Sequence, residues 1–219
     1  MTARSMEKLV QEYFLGVDIG TSSVKGLILD STARVIAQSE APNELLSPHI
    51  GWAEQDTGHW EQNVLHVIRT CLKQAALPSE RIRAVGVSGM VPAVILLDAA
   101  GQVLRRAIQY NDARAVQEIQ EYEQLIGEDR FFQITGASLS VQSVGPKLAW
   151  IRRHEPAVWE KTVHILGSYD YINHFLTGSL SVERNWALES GLFDIKQNVW
   201  SDELRRSFDI PVGLLAPIH

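Results

Sequence analysis

The sequence predicts an α/β domain on a mixed sheet, with three antiparallel strands, then parallel strands reached by helical crossovers, and mostly helical insertions. Three observations carry this. Two apolar runs, residues 14–19 and 24–29, flank a tight polar turn of Gly20, Thr21, Ser22 and Ser23, the pattern of a buried hairpin rather than a helix. Trp60, Val64, Val67, Ile68, Cys71, Leu72 and Ala75 recur at intervals of three and four, which puts one apolar helix face on the sheet. Arg81–Val87 then rises into a short β-branched run ending at Ser88-Gly89. A strand reached through a crossover helix lies parallel in the same sheet.

The remaining elements follow in order. Arg34–Glu40 is the third strand, reached through a turn at Asp30-Ser31-Thr32. Residues 41–55 hold Pro42, Pro48 and Gly51 without a period and read as a loop, after which Asp56 caps the amphipathic helix. Val91–Leu97 and Val103–Tyr110 are strand-like and separated by a hairpin composition, Asp98 to Gly101. Asp112 is placed to cap a helix whose face is Ala115, Ile119, Tyr122 and Ile126, with Gly127 as its stop. Beyond Glu128, helices are expected over Lys147–Arg153, Ser168–Leu176 and Trp200–Phe208, a short strand at Val163–Leu166 and an extended Pro211–Pro217. Gly178–Val182 and Leu192–Asp194 read equally as strand ends or extended segments. No internal repeat or low-complexity stretch interrupts the chain.

Composition excludes several functions. With 45% hydrophobic and 21% charged residues over 219 positions, the composition is that of a globular chain large enough for one big domain or two small ones. A net charge of −6 opposes the basic surface that non-specific nucleic-acid binding needs. An anionic ligand therefore requires a local site. Cys71 is the single cysteine, and no Cys/His cluster has zinc spacing, so a reducing compartment and no structural zinc are expected. The first thirteen residues, Met1–Tyr13, read as a tail without the apolar core of a signal peptide, and no run reaches the length of a membrane span. The expected location is cytoplasmic, with no membrane or nucleic-acid partner.

The chemistry gathers at the hairpin. Asp18 sits inside an apolar strand, and a carboxylate there must be paired, hydrogen-bonded or bound to a metal. Beside it, Gly20 lets backbone approach a ligand, Thr21, Ser22 and Ser23 offer amides and hydroxyls to phosphate oxygens, and Lys25 adds charge. That set suits a phosphate held with magnesium; the alternative is a turn-capping Asp with no ligand. Neither the Walker spacing nor Gly-x-Gly-x-x-Gly is present. The seven histidines show no ligand spacing. Met90 reads first as core packing, Trp60 as an anchor between loop and helix, and Asp170 as a helix cap or first-turn charge.

The hairpin resembles the first phosphate loop of the actin/hexokinase/chaperone ATPase superfamily. Further blocks follow in register: Gly51-Trp52-Ala53-Glu54-Gln55-Asp56, Val87-Ser88-Gly89-Met90, Gln109-Tyr110-Asn111-Asp112-Ala113-Arg114, Pro146-Lys147-Leu148-Ala149-Trp150 and Asp170 through Gly178. Together they resemble the N-terminal domain of the FGGY carbohydrate kinases, in the xylulokinase-like branch. The resemblance spans nearly everything from Phe14 onward, so residues 14–219 are expected to form one actin-like (ribonuclease H-like) domain.

The resemblance implies transfer of the ATP γ-phosphoryl group to a hydroxyl of a sugar or polyol, a pentulose such as xylulose foremost. Its cofactors would be ATP and Mg2+, and it leaves room for a homodimer. Carried over by position, Asp18 matches the metal-orienting carboxylate, and Gly20, Thr21, Ser22 and Ser23 match the phosphate turn. Lys25 reads either as a phosphate contact or as a residue of the hairpin's outer face. Gly89, Met90 and Val91 match the strand end that touches sugar hydroxyls, and Tyr110 and Asn111 match a wall beside the sugar. Val91 stands where relatives often carry His or Glu, Tyr110 where they carry Trp, and Arg184-Asn185-Trp186-Ala187 replaces a small, Asp-containing stretch, which together point to altered sugar contacts. The family's general base lies in a Gly-rich Asp loop opening a second actin-like domain, and no such loop follows Phe208. These 219 residues are therefore expected to be inactive alone, with a non-catalytic sugar- or nucleotide-binding module as the competing reading.

Overall fold

The computed structural model describes residues 12–219. Residues 1–11 of the expected N-terminal tail lie outside them, and Tyr13 already belongs to the first strand. Strands β1 (Tyr13–Ile19) and β2 (Ser23–Asp30) pair antiparallel across the predicted turn, with Asp18 opposite Lys25 and Val17 opposite Gly26. Strand β3 (Val35–Pro42) pairs antiparallel with β2. The two-residue strand β4 (Glu54–Gln55) leads into helix α1 (Thr57–Ala75), and β5 (Ile82–Gly89) returns parallel to β1. The sheet order is β3-β2-β1-β5, with β5 the single parallel partner among the described strands where several were anticipated.

Alternation along the strands decides which face is covered. Leu15, Val17 and Ile19 of β1 and Val24 and Ile28 of β2 are buried, whereas Lys25 and Leu27 point away and are exposed. Helix α1 closes the buried face with Trp60, Val64, Val67 and Cys71, each withdrawn from solvent. Burying each of the aliphatic side chains stabilises the fold by roughly 1.5–3 kcal/mol. Close approach depends on Gly26, where an added Cβ would lie 3.0 Å from Val67 Cβ and Cγ2 and 3.5 Å from Cys71 Sγ. Asp56 caps the helix as predicted, its carboxylate accepting from the Gly58 amide at 2.8 Å.

The chain then builds a second layer over one end of the sheet. Strand β6 (Ile95–Leu97) pairs with the later β8 (His164–Leu166), and β7 (Ala107–Ile108) pairs with β4, so the expected β6–β7 hairpin survives only as isolated bridges at Leu97–Val103 and Val94–Ile108. Its turn is present: Asp98 Oδ1 accepts the amides of Ala100 and Gln102, and Gly101 adopts φ +76°. Helices α2 (Val116–Ile126), α3 (Glu128–Thr135), α4 (Val144–His154) and α5 (Pro156–Trp159) follow, then β8 (His164–Leu166) and α6 (Ser168–Thr177). Helix α7 (Arg184–Glu189), the ribbon β9 (Phe193–Asp194) and β10 (Val199–Trp200), and α8 (Asp202–Ser207) complete the layer. Leu192–Asp194 thus resolves as part of a ribbon, while the Pro211–Pro217 segment contains a 3-10 turn at Val212–Leu214.

Two acidic residues behave differently from one another. Asp112 does not cap α2, whose N-cap Ala115 has no side-chain bond; it is buried, bonded to Arg114 and to the Ala53 amide. A guanidinium two residues away competes better for the carboxylate than an unsatisfied helix amide does. Asp170 does cap, accepting from the amides of Gly167 at 3.2 Å and Glu183 at 2.8 Å, and burial pushes its carboxyl up to about 7. No helix among the described residues is long and apolar enough to cross a membrane.

Candidate active site

The turn between β1 and β2 closes through a hydrogen bond from the Gly20 amide to Ser23 O at 2.9 Å. An added Cβ at Gly20 would stand 3.0 Å from that same oxygen, so the turn closes this tightly only with glycine. Thr21 and Ser22 remain at the rim, whereas Ser23 is buried at 4% exposure, which withdraws its hydroxyl from the rim. Asp18 is half-buried rather than enclosed: strand alternation sends it to the face opposite α1, among Gly16, Lys25, Gly86 and Ser88 around a depression of about 420 Å³. Its Oδ1 accepts from Ser88 Oγ at 2.8 Å, and its Oδ2 lies 3.8 Å from where a Gly20 Cβ would be. The carboxylate therefore faces the turn. Lys25 is exposed and directly opposite Asp18 on the same face, with no ion pair between them among the described residues.

The carboxyl ends of β1 and β5 lie side by side, the edge at which ligands bind in open α/β sheets. Gly89 pairs with Ile19, and Met90 donates its amide to Ile19 O at 2.9 Å. A Cβ at Gly89 would meet Ser168 Oγ at 2.8 Å and Ile19 O at 3.0 Å, so glycine is required where α6 abuts the strand. Ser168 Oγ in turn donates to Met90 O at 2.6 Å. The Met90 side chain joins the hydrophobic core, and Val91 is half-buried beside it. Trp186 Nε1 fixes the continuing loop through Ala93 O at 2.9 Å.

Tyr110 and Asn111 leave the end of β7, half-buried and exposed respectively. Among the described residues no hydrogen bond joins them to the turn. The connection runs through β4, where Glu54 and Gln55 pair with Ile108 and Ala107 and Gln55 Nε2 donates to Thr21 O at 2.6 Å. Behind them lies a buried charge network that residue-by-residue reading missed. Lys147 Nζ, from α4, donates to Gln109 O at 2.8 Å and Tyr110 O at 3.1 Å. Burial lowers its ammonium to about 7; Asp112 opposes that shift and Arg114 reinforces it. Arg114 binds Glu54 and Asp112 and stacks between Trp52, 3.9 Å from its ring centre, and Trp150, 5.0 Å away. Arg105 also pairs with Glu54 and with Glu155. Burial by itself would raise the Asp112 carboxyl, but hydrogen bonds from the Arg114 side chain and the Ala53 and Arg114 amides hold it below the usual range.

Among the described residues no three His, Cys, Asp or Glu side chains gather into a metal site. A single carboxylate beside a phosphate-shaped turn nevertheless fits magnesium, which is commonly bound by one or two carboxylates together with substrate phosphates.

Residues 13–219 match the family model of the FGGY family of carbohydrate kinases, N-terminal domain. The chain belongs to this family. It is 32% identical over 197 residues to a xylulose kinase of Klebsiella pneumoniae, covering 90% of this chain and 40% of that protein. Among solved structures, a xylulose kinase from Rhodospirillum rubrum superposes with a TM-score of 0.90 at 38% identity, over 95% of this chain and 43% of the other. One from Brucella ovis gives 0.87 at 28% identity over 95% and 43%. These structures carry the actin-like fold expected of an FGGY domain. The chain spans about 40% of the length of the curated relatives it matches.

Proposed function

We propose that this FGGY domain is the sugar- and phosphate-binding half of an ATP-dependent carbohydrate kinase acting on a pentulose such as xylulose. The observation that carries the reading is the placement of Asp18 against the Gly20–Ser23 turn, at the carboxyl ends of β1 and β5. In this reading the turn receives phosphate oxygens, with Lys25 supplying charge from the same face. Asp18, oriented by Ser88, would hold the magnesium of Mg2+–ATP, which when bound neutralises phosphate charge. Gly89, Met90 and Val91 present backbone and a small apolar side chain to the sugar, and Tyr110 and Asn111 wall it. The proposal assigns no general base to these residues. Val91 and Tyr110 replace polar and larger groups, so the reading favours a ketose whose hydroxyls are met by backbone more than by side chains. A buried unpaired thiol, Cys71, accords with a cytoplasmic enzyme.

A thermal-shift panel of ketopentoses, hexuloses, polyols and sugar acids tests substrate class, since a ligand at 100 times its Kd stabilises by about 2.7 kcal/mol. The reading predicts the largest shift with a ketopentose and ATP-dependent phosphorylation of that sugar by the complete kinase. Sugar binding without phosphorylation would favour the binding-module reading instead.

A further inference from the structure

Every carbonyl of the Gly20–Ser23 turn is engaged from the protein side. Gly20 O accepts from Asn43 Nδ2 at 2.8 Å, Thr21 O from Gln55 Nε2 at 2.6 Å, Ser22 O from the Asn43 amide at 2.9 Å and Ser23 O from the Gly20 amide at 2.9 Å. Among the described residues the amides of Thr21 and Ser22 have no partner. These facts are linked by peptide geometry. In a trans peptide the carbonyl and the following N–H point in opposite directions. Pinning Gly20 O inward therefore aims the Thr21 amide outward, and pinning Thr21 O does the same for Ser22.

Both clamping side chains are themselves held in one orientation. Gln55 is 1% exposed, and its Oε1 accepts from Trp60 Nε1 at 2.9 Å, so a flipped amide would set two donors against each other. Asn43 Oδ1 accepts from Asn63 Nδ2 at 2.9 Å. Trp60 and Asn63 stand three residues apart on α1, hence on one face of the helix. The first turns of α1 thus fix both clamps.

We propose that Asn43 and Gln55 are positioning residues that preset the Thr21 and Ser22 amides to receive phosphoryl oxygens of a nucleotide. The assignment rests on the kinase reading of the turn. Without the clamps either peptide can rotate and present a carbonyl to the phosphate, replacing attraction with repulsion.

The test uses Gln55→Glu and Asn43→Asp in the complete kinase. Each keeps an acceptor for its α1 partner and loses the donor to the turn. A hydrogen bond to a charged group contributes about 1.5–3 kcal/mol, so kcat/KM for ATP should fall by about 10- to 100-fold. The sugar Kd, measured without nucleotide, should stay within about two-fold, a split that general loss of structure does not produce. Because Gln55 is buried, the half-exposed Asn43→Asp carries the test if the Gln55 variant does not fold. An active parent enzyme with unchanged kcat/KM for ATP in Asn43→Asp, or with sugar affinity falling in parallel, overturns the positioning role alone. A parent that phosphorylates no sugar overturns the kinase reading and this assignment with it.

Discussion

Lys147 holds two carbonyls of the candidate sugar wall with an ammonium that burial has brought down to about 7. Below that pH the lysine is charged both folded and unfolded, and the cost of burying the charge is fully present. Between pH 7 and its ordinary 10.5 the folded protein has lost the proton while the unfolded chain keeps it, so stability should rise with pH across that window. The slope is at most about 1.4 kcal/mol per pH unit. Asp112, with its carboxyl held low, and Arg114 stay charged throughout and add no slope. In Lys147→Met the rise should vanish, which urea unfolding followed from about pH 7 to about pH 10 can show. An identical slope in the variant would place the titration elsewhere. At this scale the sequence showed Asp18 and the glycine of the turn, because a carboxylate and a glycine in an apolar hairpin are anomalies. Lys147, Gln55 and Asn43 were opaque as site residues. Their partners are backbone carbonyls 23 to 38 residues away, and nothing local marks such a contact. Asp112 was misread because its partner, Arg114, outcompetes the helix end that its position suggested.

Among the elements, α1 connects stability to the site. It seats on Gly26 through Val67 and Cys71, and it carries Trp60 and Asn63, which orient the two clamps of the turn. Gly26→Val must push Val67 away from a 3.0 Å approach, and such overpacking costs about 1–3 kcal/mol. The urea midpoint should fall accordingly, and an unchanged midpoint would mean that the helix does not rest on this strand as described. The long amphipathic period and the β-branched run made α1 and β5 readable from sequence. Strands β4, β7, β9 and β10, with two residues each, carry no period at all; β4 and β7 exist through pairing with each other across some fifty residues of chain, β9 and β10 through a local ribbon. That is also why the β6–β7 hairpin was overestimated: its turn is local, but its strands are claimed by β8 and β4.

For the whole molecule, the carboxyl ends of β1 and β5 bring Asp18, the Gly20–Ser23 turn and Gly89 together on a domain of the FGGY family, and the proposed reading makes that edge the phosphate, metal and sugar site. The fold and the turn were legible in the order of blocks along the chain, whereas the network joining turn to sugar wall through Glu54 and Gln55 appears only in three dimensions. The central claim is that Asp18 serves phosphoryl transfer and not sugar binding. The most direct measurement is Asp18→Asn in the complete kinase, with kcat from a coupled assay and sugar Kd from titration. The account predicts a fall in kcat of at least about 100-fold with sugar Kd held within about two-fold. An unchanged kcat, or a comparable loss of sugar affinity, would contradict it.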